Sequence, residues 1–226
     1  MKRLMAYVPV LMLALAAPSV AQDIAPDVLL KAVTMEVIGI IEQDGDIQAG
    51  DPAKVAALVE TTILPHFDFS RMTQIAMARN WRQSTDQQKN SLITEFKTLL
   101  VRTYSTALSS YRGQVIEFKR LRAAPGDTEV TVKSVMRQQG SEPLTMDYDM
   151  EKLAAGWKVY DIKIDGMSLI TAYRETFASK VREYGVHGLI MALSDKNRQS
   201  DVLFRTRQSE SSLVPAIVRS LLAGAK

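Results

Sequence analysis

Residues 144–166 read LTMDYDMEKLAAGWKVYDIKIDG. Leu144, Met146, Tyr148 and Met150 alternate with Thr145, Asp147, Asp149 and Glu151. A period of two is that of a strand with one apolar and one polar face. Trp157–Asp165 repeats it, with Tyr160, Ile162 and Ile164 predicted on one face. The link between the two runs is short, so they form a hairpin. Upstream, Val130, Val132, Ser134 and Met136 alternate after the Pro125-Gly126-Asp127 turn, and Gln114–Leu121 supplies a further strand. About four hairpin-linked strands make a curved antiparallel sheet, buried on one face and polar on the other.

Helical patterns flank this sheet. Pro26–Gln43 places Val28, Leu29, Ala32, Val33, Val37, Ile40 and Ile41 at helical spacing, and Gln43-Asp44-Gly45-Asp46 stops it. Asp51-Pro52 caps and opens a second helix that Pro65 ends. Asp68 or Ser70 caps a third, through about Asn80. Ser84-Thr85-Asp86-Gln87 offers a Ser-x-x-Gln capping box for a long fourth helix, closed by Gly113. After Asp165-Gly166, Ser168 caps a helix to about Tyr184, and Val186–Lys196 forms another. Helices on both sides of one antiparallel sheet predict an α+β domain.

The chain has 226 residues, of which 46% are hydrophobic and 23% charged, enough for a sizeable core and against wholesale disorder. It has no cysteine. Disulfides, thiolate metal sites, a cysteine nucleophile and a lipid anchor on cysteine are therefore excluded. His66 and His187 are its two histidines, too few for a multi-histidine zinc site. Lys2 and Arg3, the apolar run Leu4–Ala17 and the small residues of Ser19-Val20-Ala21 predict a signal peptide over 1–21. Pro9 and Pro18 interrupt the run, so a membrane span is disfavoured. Cleavage after Ala21 removes two bases and no acid, which lowers the formal charge from +3 to +1. That charge gives no footprint for nucleic acid. Residues 22–197 are read as the domain, and 198–226 as a mildly basic mobile tail.

Phosphate-cradling and nucleophile-elbow motifs are absent from the sequence. Asp44-x-Asp46 opens like a calcium loop but lacks the later glycine and glutamate. Asp147, Asp149 and Asp161, with Tyr148 and Tyr160 beside them, could serve acid–base chemistry in a closed pocket. Sharing a face with Thr145 and Glu151, Asp147 and Asp149 read more simply as a solvated sheet face. Eight methionines follow residue 21, and their soft side chains suit a variable apolar ligand as well as ordinary packing.

Several blocks carry a family likeness in order. Leu64-Pro65-His66-Phe67-Asp68-Phe69-Ser70-Arg71-Met72, followed by Ala78-Arg79-Asn80-Trp81-Arg82, resembles the LPHFDF…ALGRHWR stretch of the MlaC family. Phe96-Lys97-Thr98-Leu99-Leu100-Val101-Arg102-Thr103-Tyr104 resembles its FxxLLVRTY helix. Trp157–Ile162 with Ile164–Leu169 resembles its WKVYDV…IxGVSL element, and Tyr173-Arg174 with Phe177 its YRxxF. Asn80 stands where histidine is frequent, Met167 replaces valine, and the tail past Asn197 has no counterpart.

The resemblance implies a non-enzymatic phospholipid carrier of the periplasm, soluble and monomeric, with no cofactor and no metal. Its implied partners are an outer-membrane lipoprotein complex and an inner-membrane ABC transporter carrying an MCE-type domain. The implied role is upkeep of outer-membrane lipid asymmetry; a hopanoid or other lipid is the alternative cargo. A diacyl lipid hides about 30 methylenes at about 0.8 kcal/mol each, so its unaided passage through water is very slow. Two chains need a cavity of about 800–1,000 Å³. Expected lining residues are Phe69, Met72, Phe96, Leu99, Leu100, Tyr104, Val132, Met146, Tyr148, Ile162, Ile164, Leu169 and Tyr173. Two other classes stay open. A small enzyme predicts a raised aspartate inside a small closed pocket, and a protein-binding module predicts a filled core with an exposed apolar patch.

Overall fold

The computed structural model describes residues 24–124 and 126–206. The expected signal peptide, and the tail from 207 onward, lie outside the described residues. Helix α1 (Pro26–Gln43) is followed by a short helix α2 (Gly45–Ala49), which the sequence pattern did not predict. Asp44 caps α2 by accepting from the Asp46 and Ile47 N–H groups. Lys54 then bridges Asp44 and Asp46 at 3.0 and 2.7 Å. The carboxylate pair that looked like half a calcium loop thus holds an ammonium. Helix α3 (Pro52–Leu58) starts on the Asp51 cap and continues as a wider turn over Val59–Ile63.

Helix α4 (Phe69–Met77) starts where Asp68 accepts from the Arg71 N–H. It ends earlier than expected, because Ala78 takes φ 47° and ψ −125° and turns the chain into a 3-10 segment over Ala78–Gln83. Helix α5 (Asp86–Ser105) carries its capping box one residue later than the sequence suggested. The Gln88 N–H donates to Thr85 Oγ1 at 3.2 Å, and the Thr85 N–H donates to Gln88 Oε1 at 2.9 Å. Ser84 is occupied elsewhere, buried and donating to the Asn80 carbonyl. The helix also stops at Ser105 rather than Gly113, with a 3-10 turn at Leu108–Ser110 between them.

Five strands follow, one more than expected: β1 (Val115–Phe118), β2 (Glu129–Arg137), β3 (Leu144–Leu153), β4 (Gly156–Ile164) and β5 (Met167–Ser168). They form an antiparallel meander in sequence order. Val132, Tyr148 and Ile162 face one another across three strands, as do Ser134, Met146 and Ile164. The register shifts at Asp149/Met150, where Met150 opposes Val159 and Tyr160 is left over. This bulge puts Tyr160 on the opposite face from Ile162, a correction to the simple alternation. There its ring lies under the Arg71 guanidinium at 3.7 Å, and its hydroxyl donates to Glu129.

A 3-10 turn (Thr171–Tyr173) leads into α6 (Arg174–Thr206), which breaks at Gly185 with φ 69° and ψ 177°. The two helices expected on either side of residue 185 are thus present, and the second runs past 198 to Thr206.

Apolar burial falls into three groups. Leu92, Phe96, Leu99 and Leu100 line one stripe of α5 and pack with Met72 and Met77 of α4 and with Phe177, Leu189 and Leu193 of α6. Val132, Met150, Trp157 and Val159 of the sheet pack against Leu30 of α1. Val37, Ile41, Ile47, Val55 and Leu58 tie the first three helices together. Phe67 touches both the first and the second group.

The break in α6 carries a test. Alanine normally stabilises a helix interior by about 1 kcal/mol over glycine. At Gly188, however, a Cβ would stand 2.2 Å from the Tyr184 Cβ, because the chain folds back at Gly185. Gly188→Ala is therefore expected to lower the urea midpoint. A raised midpoint would show that the break is not a feature of the folded protein.

Candidate functional site

A cavity of about 310 Å³ opens where the far end of α5 meets the last turns of the sheet. Its apolar wall comes from Tyr104 of α5, Met136 of β2, Leu144 of β3, Ile164 of β4, and Met167, Leu169 and Ala172. Gln138, Ser141, Glu142, Asp165 and Ser168 supply the polar part. Pairing places these groups together. Met136 opposes Leu144, and Ile164 opposes Met167, so the turn ends of two hairpins meet over one space.

Asp165-Gly166 makes the tighter of the two hairpin turns. Both residues have positive φ, 47° and 80°, as a two-residue type I′ turn requires. Asp165 tolerates this because its Oδ1 accepts from both the Thr145 N–H and the Thr145 hydroxyl, each at 3.0 Å. This turn creates β5, which is too short to announce itself by alternation.

Asp161 fixes the next part of the wall. It is 4% exposed. Its Oδ2 accepts the Ser168 hydroxyl at 2.5 Å, and its Oδ1 accepts the Ile170 N–H at 3.4 Å. Ser168 Oγ in turn accepts the Thr171 N–H at 2.9 Å. One carboxyl thus pins residues 168–171 onto β4. Burial pushes its pKa above the usual carboxylate range, against the lowering pull of the Ser168 bond. Asp149, opposite Asp161, is buried too, with the Thr131 hydroxyl at 2.7 Å and the Lys163 ammonium at 2.7 Å. The expectation of a fully solvated acidic face is therefore corrected. Helix α4 and the 168–171 segment lie against part of that face. Arg71 of α4 reaches Glu129 at 2.9 Å and Glu151 at 2.5 Å.

Asp161 does not line the cavity. A raised aspartate was the mark expected of an acid–base enzyme, but here the carboxyl faces the other side of the sheet. Tyr104 is the titratable phenol in the wall. Burial raises its pKa well above the usual phenol value, and the neighbouring Tyr173 phenol adds to the rise. Both phenols are neutral at any physiological pH. Tyr173 stands edge-on to Phe96, with centroids 5.1 Å apart, and Phe177 packs on both.

The structure divides the expected lining residues. Tyr104, Ile164 and Leu169 border the cavity. Phe69, Met72, Phe96, Leu99, Leu100 and Tyr173 belong to the helical group behind it. Val132, Tyr148 and Ile162 belong to the sheet group. Met146 is half-buried in the row of Ile164 and receives the Tyr148 hydroxyl on its sulfur at 3.7 Å. Met136, Leu144 and Met167 also line the cavity, although sequence reasoning left them out. Met136 and Leu144 were legible as members of the alternating rows. Met167, 67% exposed, follows the turn and carries no periodic signal. A second, more open cavity of about 650 Å³ lies between α3 and α5. It has Lys97, Arg102 and Glu60 in its wall and none of the expected lining residues.

The chain matches the family model described as MlaC protein over residues 31–195. It belongs to the MlaC family. It is 18% identical over 180 residues to the intermembrane phospholipid transport system binding protein MlaC of Haemophilus influenzae, covering 78% of this chain and 84% of that one. It is 23% identical over 161 residues to the toluene tolerance protein ttg2D of Pseudomonas putida, covering 71% and 74%. Among solved structures, a phospholipid-binding protein from Ralstonia solanacearum in complex with a phospholipid matches with TM-score 0.72 and 41% identity. That match covers 77% of this chain and 98% of the other. The α+β fold with its unclosed five-stranded sheet is thus one that holds a phospholipid in a family relative.

Removing the Asp161 carboxyl leaves the Ser168 hydroxyl and the Ile170 N–H without their acceptor. Asp161→Ala is expected to lower stability by about 1–3 kcal/mol. The sign with pH follows from linkage. The folded carboxyl binds its proton more tightly than the unfolded one, so its contribution grows as pH falls and is lost as pH rises through the folded value. The stability gap between wild type and Asp161→Ala should widen from pH 7 toward pH 4.5 in urea titrations. A gap that narrows contradicts the assignment of a burial-raised carboxyl.

Proposed function

We propose that the protein is a periplasmic phospholipid carrier. It takes lipid up at one membrane and gives it up at the other, between an outer-membrane lipoprotein complex and an inner-membrane ABC transporter carrying an MCE-type domain. The transfer serves outer-membrane lipid asymmetry. The carrying observation is the cavity itself, walled by Met136, Leu144, Ile164 and Leu169 and rimmed by polar groups. Such a shape takes acyl chains inward and leaves a headgroup at the mouth. The names of the Haemophilus and Ralstonia relatives support the ligand class.

The cavity is less than half the volume that two acyl chains require. Full loading therefore needs the end of α5 to part from the sheet. Among the described residues, Phe67 alone packs against both the helical and the sheet group. Among those residues no helix is long and apolar enough to cross a membrane. The polypeptide can then carry its lipid without a span of its own in the described region.

Purified protein, extracted with organic solvent, should yield phospholipid on mass spectrometry. Leu169→Trp puts an indole into the cavity and is expected to cut bound lipid about tenfold, with an unchanged circular dichroism spectrum. Protein that yields no lipid even after incubation with phospholipid vesicles would defeat the carrier reading. Undiminished lipid in folded Leu169→Trp would place the chains elsewhere.

A further inference from the structure

The mouth of the cavity has an unbalanced charge. Glu142 and Asp165 are exposed at it, and among the described residues no lysine or arginine lines it. The cations nearest in sequence are already engaged on the sheet's other face or edge. Arg137 pairs with Glu117 at 3.2 Å, Lys133 with Asp147 at 3.3 Å and Lys163 with Asp149 at 2.7 Å. Thr145 engages only one oxygen of Asp165. Ser141, on the same turn as Glu142, has a buried hydroxyl with no hydrogen-bond partner. It is a donor kept from water beside the entrance, where a lipid phosphate oxygen would accept from it.

Every glycerophospholipid brings a phosphate to this place. What differs is the group beyond it. A headgroup ending in an ammonium has no net charge and sets a cation near Glu142 and Asp165. A glycerol headgroup leaves the phosphate charge uncompensated against two carboxylates. We propose that this mouth favours phospholipids whose headgroup carries an ammonium over those with net negative charge. The inference rests on the carrier reading and adds a headgroup class to it. The preference is modest, since exposed ion pairs shift equilibria by about two- to fivefold. It weakens as salt rises, because the groups sit within reach of solvent ions.

The test offers the protein equimolar vesicles of phosphatidylethanolamine and phosphatidylglycerol with matched acyl chains at low salt. The lipid recovered with the protein is then measured by mass spectrometry. About two- to fivefold enrichment of phosphatidylethanolamine is expected, falling toward the vesicle ratio at high salt. Glu142→Lys, on an exposed turn, should bring the ratio to parity or reverse it, and Glu142→Gln should fall between. Uptake of both lipids at the vesicle ratio overturns this inference alone. So does enrichment that Glu142→Lys leaves unchanged. Uptake of neither lipid overturns the carrier reading and this inference with it.

Discussion

The apolar face of the sheet and the apolar stripe of the helices do not fill one another, and the rest of the molecule depends on that mismatch. The helices close on themselves around Phe96 and Phe177, while Val132, Met150 and Val159 close on Leu30 of α1. The 168–171 segment ties β4 to the helical group through Ile170, and at one end Phe67 touches both groups. There the Asp68 N–H donates to the Val159 carbonyl at 2.9 Å, and Arg71 pairs with Glu129 and Glu151. Polar bonds hold that end shut. At the other end, α5 runs out at Ser105 and faces Met136, Leu144 and Ile164 across open space. A closed end and an open end leave a cavity whose mouth costs neither apolar group its own packing.

Much of this was legible in the sequence. The alternating rows of β2, β3 and β4 fixed the sheet and its apolar face, because a period of two permits only one assignment of faces. The division of the helical residues was not legible. Phe96, Leu99 and Leu100 share the spacing that any buried stripe shows, and spacing does not say whether the neighbour is a side chain or a cavity. Tyr104 differs from them in lying one turn further along, where the packed stripe meets the cavity. The bulge at Tyr160 and the short β5 were hidden for a related reason. Both arise from local departures in backbone angle or register, and neither leaves a periodic mark.

The cavity keeps its fixed charge on the opposite face of the sheet or at its exposed mouth. Asp149 and Asp161 are as buried as many core residues, yet both are anchored on the opposite face by Thr131, Lys163, Ser168 and the Ile170 N–H. Beside the apolar row stands the Tyr104 phenol, which burial keeps neutral. A charged group in that wall would bind water and oppose the entry of an acyl chain by several kcal/mol. The sheet therefore separates two duties by its pleat. One row of side chains faces the cavity, and the row between holds the 168–171 wall in place.

That separation explains why the acidic residues at the mouth can act on a headgroup without disturbing the chains. Glu142 and Asp165 stand on turns, where the pleat ends and side chains no longer alternate between two faces. From the turns they border the cavity while staying in water. A lipid bound there has each of its parts matched to a different consequence of the same sheet. On the proposed reading its chains lie on the apolar row, its phosphate beside the Ser141 hydroxyl, and its terminal group against the carboxylates of the turns. On that reading, transfer requires chiefly that the chain environment be close in energy to a bilayer, since the terminal headgroup stays at the exposed turns. The soft side chains of Met136 and Met167 in the wall suit that requirement, since they adapt to chains of differing length without fixing any one of them tightly.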